Sequence, residues 1–338
     1  MLAGLAHKWN WREARKRAGK DATRPNMVTG GNVQIVWKKF LRYFDVEPRI
    51  APLEVGNYRL TTKHLEELVD ENTIAVVAIA GQTFTGEDDD FHEIHDWLDA
   101  YEKRSGHSVP MHIDGASGAF VNPFLYPDDA WDFRLPRVQS INASGHKFGL
   151  VPPGLGWVVF RDRKVFHEDL MFYVNYLGGE MPTATLNFSR NAFQIAYQYY
   201  VFLRLGFDGF ARIMQQAVKN TELLRKLLLD SGFFTIMNDT QRIPVVAVTL
   251  KPEFQNFNEF DVSAKVRERG WVISAYSMPP NAQTVVSLRV VVRPHLNRDA
   301  IEILGNDIIV ACQWLRENGG NMKPPALHDP HKSSPSKC

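Results

Sequence analysis

The sequence predicts an α/β protein in two unequal units, a large one on a mostly parallel sheet followed by a smaller C-terminal α/β unit. Three features carry this reading. Short apolar, β-rich runs alternate with helical periodicities between residues 27 and 161, the pattern of strands joined by covering helices. Two long helical stretches follow at residues 191–205 and 210–230 and cross between regions. A second, shorter alternation occupies residues 245–315.

In chain order, residues 2–20 open as an amphipathic helix, with Leu2, Leu5 and Trp9 at helical spacing and Lys8, Arg12, Arg15, Lys16 and Arg17 on a face expected to be solvated. Strands are expected at 27–29, 74–80, 109–113, 138–141 and 154–161, and helices at 33–44 and 91–103. The acidic run at 87–90 precedes the second of these helices, where the helix dipole favours negative charge. In the smaller unit, strands are expected at 245–250, 271–276 and 287–293, and helices at 262–269 and 299–315. The domains so drawn are 1–205 and 206–318, with 319–338, rich in Gly, Pro, Ser, Lys and His, expected to be a disordered tail.

Composition narrows the function. With 39 basic and 38 acidic residues the formal charge is +1, so no global field steers nucleic acid or an anionic membrane to the chain. Cys312 and Cys338 are the only cysteines, too few for a disulfide framework or a zinc spacing, which suggests a reducing cytoplasm. The opening Met1 to Ala6 is too short for a signal-peptide core, and no apolar run reaches membrane-spanning length, so export and insertion are not expected. His92, His95 and His112 lack the companion spacing of a metal site, and no metal is expected.

Covered parallel sheets place ligands beyond the carboxyl ends of their strands. Two such ends stand out: Asp114-Gly115-Ala116-Ser117-Gly118, and Ser144-Gly145-His146-Lys147-Phe148-Gly149. Alone, Lys147 reads as a surface loop lysine and Asp114 as a helix cap. Together they are the pair that a pyridoxal enzyme needs, a lysine to carry the cofactor as an imine and a carboxylate to keep the ring nitrogen protonated.

Those segments, with Trp131-Asp132-Phe133-Arg134-Leu135-Pro136, Trp9-Asn10-Trp11-Arg12, Val33-Gln34-Ile35-Val36-Trp37, Tyr176-Leu177-Gly178-Gly179 and Asn187-Phe188-Ser189-Arg190, resemble group II pyridoxal-phosphate-dependent decarboxylases. More narrowly they resemble microbial and plant glutamate decarboxylases, from Met1 to about Leu315. The resemblance implies fold type I, pyridoxal 5'-phosphate as cofactor, L-glutamate as substrate, and a dimer or higher oligomer with the site at the subunit interface. It implies that Lys147 holds the cofactor, Asp114 meets the ring nitrogen and Gln34 covers the ring face. Thr83 and Ala116 would line the ring, Ser144 and His146 would contact the phosphate, and Ser189 would reach a neighbouring subunit's phosphate while doubling as a helix N-cap. Arg289 would take the substrate carboxylate, a task for a planar fork, whereas Arg293 reads as an arginine paired to an acid.

Relatives carry a preceding region ending in a phosphate-binding serine pair just before the position of Met1, so the chain reads as lacking that N-terminal region. A loop at 172–179 is expected to close over the site. The alternatives are decarboxylation of aspartate or an aromatic amino acid, or a catalytically impaired remnant that only binds. Residues 323–338 lack an amphipathic helical pattern, and calmodulin is not an expected partner.

Overall fold

Two sheets organise the chain in the computed structural model, which describes residues 1–176, 178–238, 240 and 242–321. The first unit runs α1 (Leu2–Arg17), β1 (Asn26–Gly30), α2 (Ile35–Tyr43), β2 (Glu47–Ala51), α3 (Leu65–Leu68), β3 (Thr73–Ile79), α4 (Phe91–Ser105), β4 (Met111–Asp114), α5 (Asn122–Leu125), β5 (Val138–Ser144) and β6 (Gly156–Phe160). Its sheet has the order β2-β1-β3-β4-β5-β6, parallel throughout except for β6 against β5. A hairpin, β7 (Phe172–Val174) and β8 (Met181–Thr183), leads to the long helix α6 (Phe193–Asp230). Then come β9 (Phe234–Ile236), β10 (Val245–Leu250), α7 (Glu259–Arg267), β11 (Ser274–Ser277), β12 (Val286–Val291) and α8 (Arg298–Asn318), whose strands form an antiparallel sheet in the order β11-β12-β10-β9.

Strand alternation divides the large core. Val76 and Ala78 of β3 join Ile94 and Leu98 of α4 on one face, while Ile74, Val77 and Ile79 join Trp37 and Phe40 of α2 on the other. Every residue of β3 is buried, so it reads as a continuous apolar run. In the smaller unit Leu224 and Leu228 of α6, Val246 and Val248 of β10, and Ile301, Leu304 and Ile308 of α8 close a second core.

Several expectations need correction. α1 stops at Arg17, and Arg15 is buried, its guanidinium donating to the carbonyls of Asp21 and Glu71. The two long helical stretches form one assigned helix broken at Gly206, whose φ of 59° and ψ of −171° is a turn that glycine adopts without strain. That helix begins at Phe193, with Asn191 Oδ1 accepting from Phe193 N, so Ser189 is not its cap. The acidic run does not serve as helix-terminal charge as a whole: Asp90 alone caps α4, while Glu87, Asp88 and Asp89 are buried. β2 went unread because only Ala51 of its five residues is buried, the polar signature of an edge. At the end, Gly320 N donates to Asn256 O and Asn321 N to Asp261, so those residues are held by α7 and its approach; the rest of the expected tail and the calmodulin question lie outside the described residues.

Candidate active site

The carboxyl ends of β1, β3, β4 and β5 lie side by side, and the residues just beyond them build the site. Asp114 closes β4 in register with Asn142 of β5. Its buried carboxylate accepts from Trp37 Nε1 at 2.8 Å through Oδ2, and from Asn142 Nδ2 at 2.9 Å and Ala116 N at 3.2 Å through Oδ1. All three partners are donors, so the carboxylate is oriented as an acceptor. A carboxylate has about four lone-pair sites, so capacity remains for a ligand.

The loop leaving β4 lies against the end of β3, where Gly118 N donates to Ala80 O at 2.9 Å. A Cβ on Gly118 would stand 2.7 Å from the Ala80 carbonyl, so glycine is required there. Lys147 follows β5 in a turn, its amide bonded to Ser144 O and its Nζ donating to Ser117 Oγ at 3.2 Å. Burial pushes its ammonium below the ordinary lysine range; Arg289 and Arg293 add to the drop and Asp114 opposes it. A lysine so tuned is a better nucleophile. His146, half-buried, is likewise pushed down by burial and by the neighbouring Lys147 and Arg293.

The smaller sheet supplies the opposite wall. Arg289 on β12 donates Nη1 to Thr83 O at 2.6 Å, and its Nε is buried without a partner among the described residues. Arg293 departs from expectation: its Nη1 points to His146 O at 3.5 Å, and among the described residues it makes no ion pair. Residues 83–88 are gripped one after another from this side. Beyond the Arg289 bond, Tyr276 Oη donates to Phe84 O at 2.9 Å, Asn238 Nδ2 to Thr85 O at 2.5 Å, and Arg242 N and Ile243 N to Gly86 O at 3.1 and 3.2 Å. Thr240 donates to Glu87 at 2.9 Å, and Arg242 Nε to Asp88 at 3.2 Å.

The structure thus brings Lys147, Asp114, Ala116, Thr83 and Arg289 to one crevice, with Ser144 and His146 in the Lys147 turn. Gln34 is the half-buried N-cap residue of α2, one helical turn before Trp37. Ser189 is exposed on the loop before α6, apart from these contacts. Sequence reasoning missed Trp37, Ser117 and Asn142; the signal for Trp37 was its place one turn after Gln34, and for Asn142 its register opposite Asp114. The cavities of about 570 Å³ beside His7 and Trp11 and about 880 Å³ beside Phe84 and Met278 include neither Lys147 nor Asp114. The site is defined by its donors and acceptors.

Those groups fit pyridoxal phosphate. Lys147 offers an amine of lowered proton affinity for the aldehyde carbon, Asp114 an acceptor for the ring nitrogen, and Arg289 Nε a buried donor without a partner. Among the described residues no group of histidine, cysteine and carboxylate side chains is placed to hold a metal.

Comparison with known proteins points the same way. The family model described as the pyridoxal-dependent decarboxylase conserved domain matches residues 1–251. The chain is 46% identical to a glutamate decarboxylase of Petunia hybrida over 308 residues, covering 91% of this chain and 61% of that protein. It is 47% identical to a glutamate decarboxylase of Aliivibrio fischeri over 310 residues, covering 91% and 67% respectively. Among solved structures, the glutamate decarboxylase of Lactobacillus brevis superposes with a TM-score of 0.89 at 38% identity, over 94% of this chain and 73% of that one. The chain therefore spans about three fifths of the length of plant relatives such as the Petunia enzyme.

Proposed function

The chain belongs to the pyridoxal-dependent decarboxylase family, and from that premise we propose that it removes the α-carboxylate of L-glutamate, giving 4-aminobutanoate and carbon dioxide. The observation that carries the reading is the pairing of a buried, fully oriented Asp114 with a Lys147 of lowered proton affinity at adjacent strand ends.

Lys147 would hold the cofactor covalently through Nζ, Asp114 would hold a proton at the ring nitrogen, and Gln34, Thr83 and Ala116 would bound the ring. Ser144 and His146 would face the phosphate. When bound, pyridoxal phosphate supplies an electron sink for the pair left on the substrate carbon as carbon dioxide departs. Everything else falls to the protein. Trp37 and Asn142 fix the plane of the Asp114 carboxylate, and Arg289 offers a planar fork for a substrate carboxylate. The hold of the smaller sheet on residues 83–88 keeps Arg289 against the ring-lining segment.

In this reading residues 1–205 form the cofactor-binding domain and 206–318 a C-terminal domain, a division supported by the break at Gly206. The molecule works as a dimer or higher oligomer: Phe188 beside Ser189, and Phe193 and Tyr200 on the α6 segment that follows, are all more than half exposed, apolar surface suited to a second subunit whose phosphate Ser189 would reach. The loop at 172–179, of which Phe172–Val174 forms β7, would close over the site. A cytoplasmic location is supported by the free, buried Cys312 and by the lack, among described residues, of any helix long and apolar enough to cross a membrane.

The test is product analysis. Purified chain with pyridoxal phosphate should release carbon dioxide and 4-aminobutanoate from L-glutamate, with aspartate and aromatic amino acids turned over far more slowly. Preference for either of those, or no turnover by a chain that binds the cofactor, would overturn the substrate assignment.

A further inference from the structure

Behind Asp114 and Asn142 runs a line of buried polar groups that the reading above does not use. It starts on α1. His7 Nε2 lies 2.7 Å from Ser140 Oγ, Ser140 Oγ lies 2.7 Å from His112 Nδ1, and His112 Nε2 lies 2.7 Å from Asn142 Oδ1. Asn142 Nδ2 then reaches Asp114 Oδ1 at 2.9 Å. His7, Ser140 and His112 are each no more than 3% exposed.

The direction of the line follows from its carboxylate end. An ionised Asp114 only accepts, so Asn142 must turn its amide hydrogens toward it, leaving its carbonyl oxygen for His112. His112 must then carry its hydrogen on Nε2. A neutral ring with Nε2–H has an acceptor at Nδ1, which takes the Ser140 hydroxyl hydrogen. The Ser140 lone pair is left to receive Nε2–H of His7. Burial keeps both rings neutral, pushing His7 to about 3 and His112 to about 4. Every hydrogen in the line points toward Asp114, and the line carries one charge, at its end.

We propose that His7, Ser140, His112 and Asn142 form a one-way donor chain that holds the negative charge on Asp114 and thereby sets how firmly a ring nitrogen bound there keeps its proton. These are positioning residues: none is placed against the cofactor, and each acts through its neighbour. The inference rests on the assignment of Asp114 and Lys147 to the pyridoxal phosphate site. Donors lined up in this way polarise one another, so a break at the middle is felt at the end.

Two measurements test it. Long-range proton–nitrogen correlation spectra of histidine-labelled protein at pH 7, with and without pyridoxal phosphate, report which ring nitrogen carries the hydrogen. His7 and His112 should both be neutral with the hydrogen on Nε2. The second measurement uses Ser140→Ala, which severs the line at its middle. Loss of a neutral hydrogen bond predicts roughly two- to tenfold weaker pyridoxal phosphate binding, a displaced absorption band of the bound cofactor, and a lower kcat at unchanged KM, with Ser140→Thr restoring the band. A histidine that is doubly protonated or carries its hydrogen on Nδ1 overturns the proposal. So does a Ser140→Ala protein with parental affinity and absorption band. Failure of the parent chain to bind pyridoxal phosphate would instead strike the site assignment, while the ring tautomers would still decide the direction of the line.

Discussion

Two buried polar regions flank the crevice, and they are built in opposite ways. The line from His7 to Asp114 uses neutral groups to orient one charge, whereas the loop at Glu87, Asp88 and Asp89 gathers three carboxyls and surrounds them with donors. The first lies within the large unit and ends on the Asp114 carboxylate. The second ties the large unit to the smaller one, with Arg242 bridging Asp88 and Asp129 and stacking 3.9 Å from the Tyr126 ring. In the proposed reading one region holds a charge in place for chemistry, while the other holds the two sheets against each other.

The contrast can be broken at each end. Asp114→Ala removes the charge that the neutral line serves. Turnover should fall at least roughly a hundredfold, the scale seen when an oriented electrostatic partner is lost from an active site, with the folded signal retained in circular dichroism. A loss under threefold would mean that Asp114 orients nothing in the reaction.

Arg242→Ala attacks the other region. Among the described residues it leaves the buried Asp88 with Gly81 N and Asn122 Nδ2 as donors. The cost should be about 3 kcal/mol of stability, read from the urea midpoint, with weaker cofactor binding as residues 83–88 loosen. An unchanged midpoint would mean that the two sheets are held by other contacts.

Arg289→Lys probes the wall that the second region positions. A point charge in place of the fork should cost about 1.5 to 3 kcal/mol, or roughly tenfold to a hundredfold in kcat/KM, while cofactor affinity holds. Unchanged kinetics would remove Arg289 from the substrate carboxylate.

The remaining effect is a difference in slope, small at any one pH near neutrality. His7 and His112 are pushed by burial from 6.5 to about 3 and about 4, so below pH 6.5 the unfolded chain takes up protons first and stability falls with pH. Each contributes roughly 1.4 kcal/mol per pH unit across its window. Asp89 has the opposite sign. Burial raises it from 3.8 to about 7, so the folded chain takes up its proton first, and its contribution is fully present below 3.8 and lost as pH rises through 7. Asp89→Asn should therefore steepen the acid-side loss between pH 4 and 7 by roughly 1.4 kcal/mol per unit. Parallel stability curves for variant and parent would contradict this.

Much of the large unit was legible because its inner parallel strands carry short apolar runs, continuous in β3, and end in short polar segments; Asp114 and Lys147 could be paired from sequence alone for that reason. What stayed hidden depends on contacts distant in the chain. Trp37 meets Asp114 across 77 residues, His7 meets Ser140 across 133, and Arg242 meets Asp88 across 154. The acidic run was misread because its local position before α4 suits the helix dipole, while its partners are scattered along the chain: Asn32 and Leu60 for Asp89, Asn122 and Arg242 for Asp88, and Thr240 for Glu87. Polar edge strands such as β2 carry no apolar alternation to read.

The central claim is that Lys147 carries the cofactor, and borohydride reduction followed by peptide mapping tests it most directly. The holoenzyme should yield a single pyridoxyl-bearing peptide, modified at Lys147, and Lys147→Arg should yield none while keeping its fold, because a guanidinium stays protonated and is no nucleophile. Pyridoxyl found on another lysine of the parent, or covalent attachment persisting in Lys147→Arg, would contradict the account.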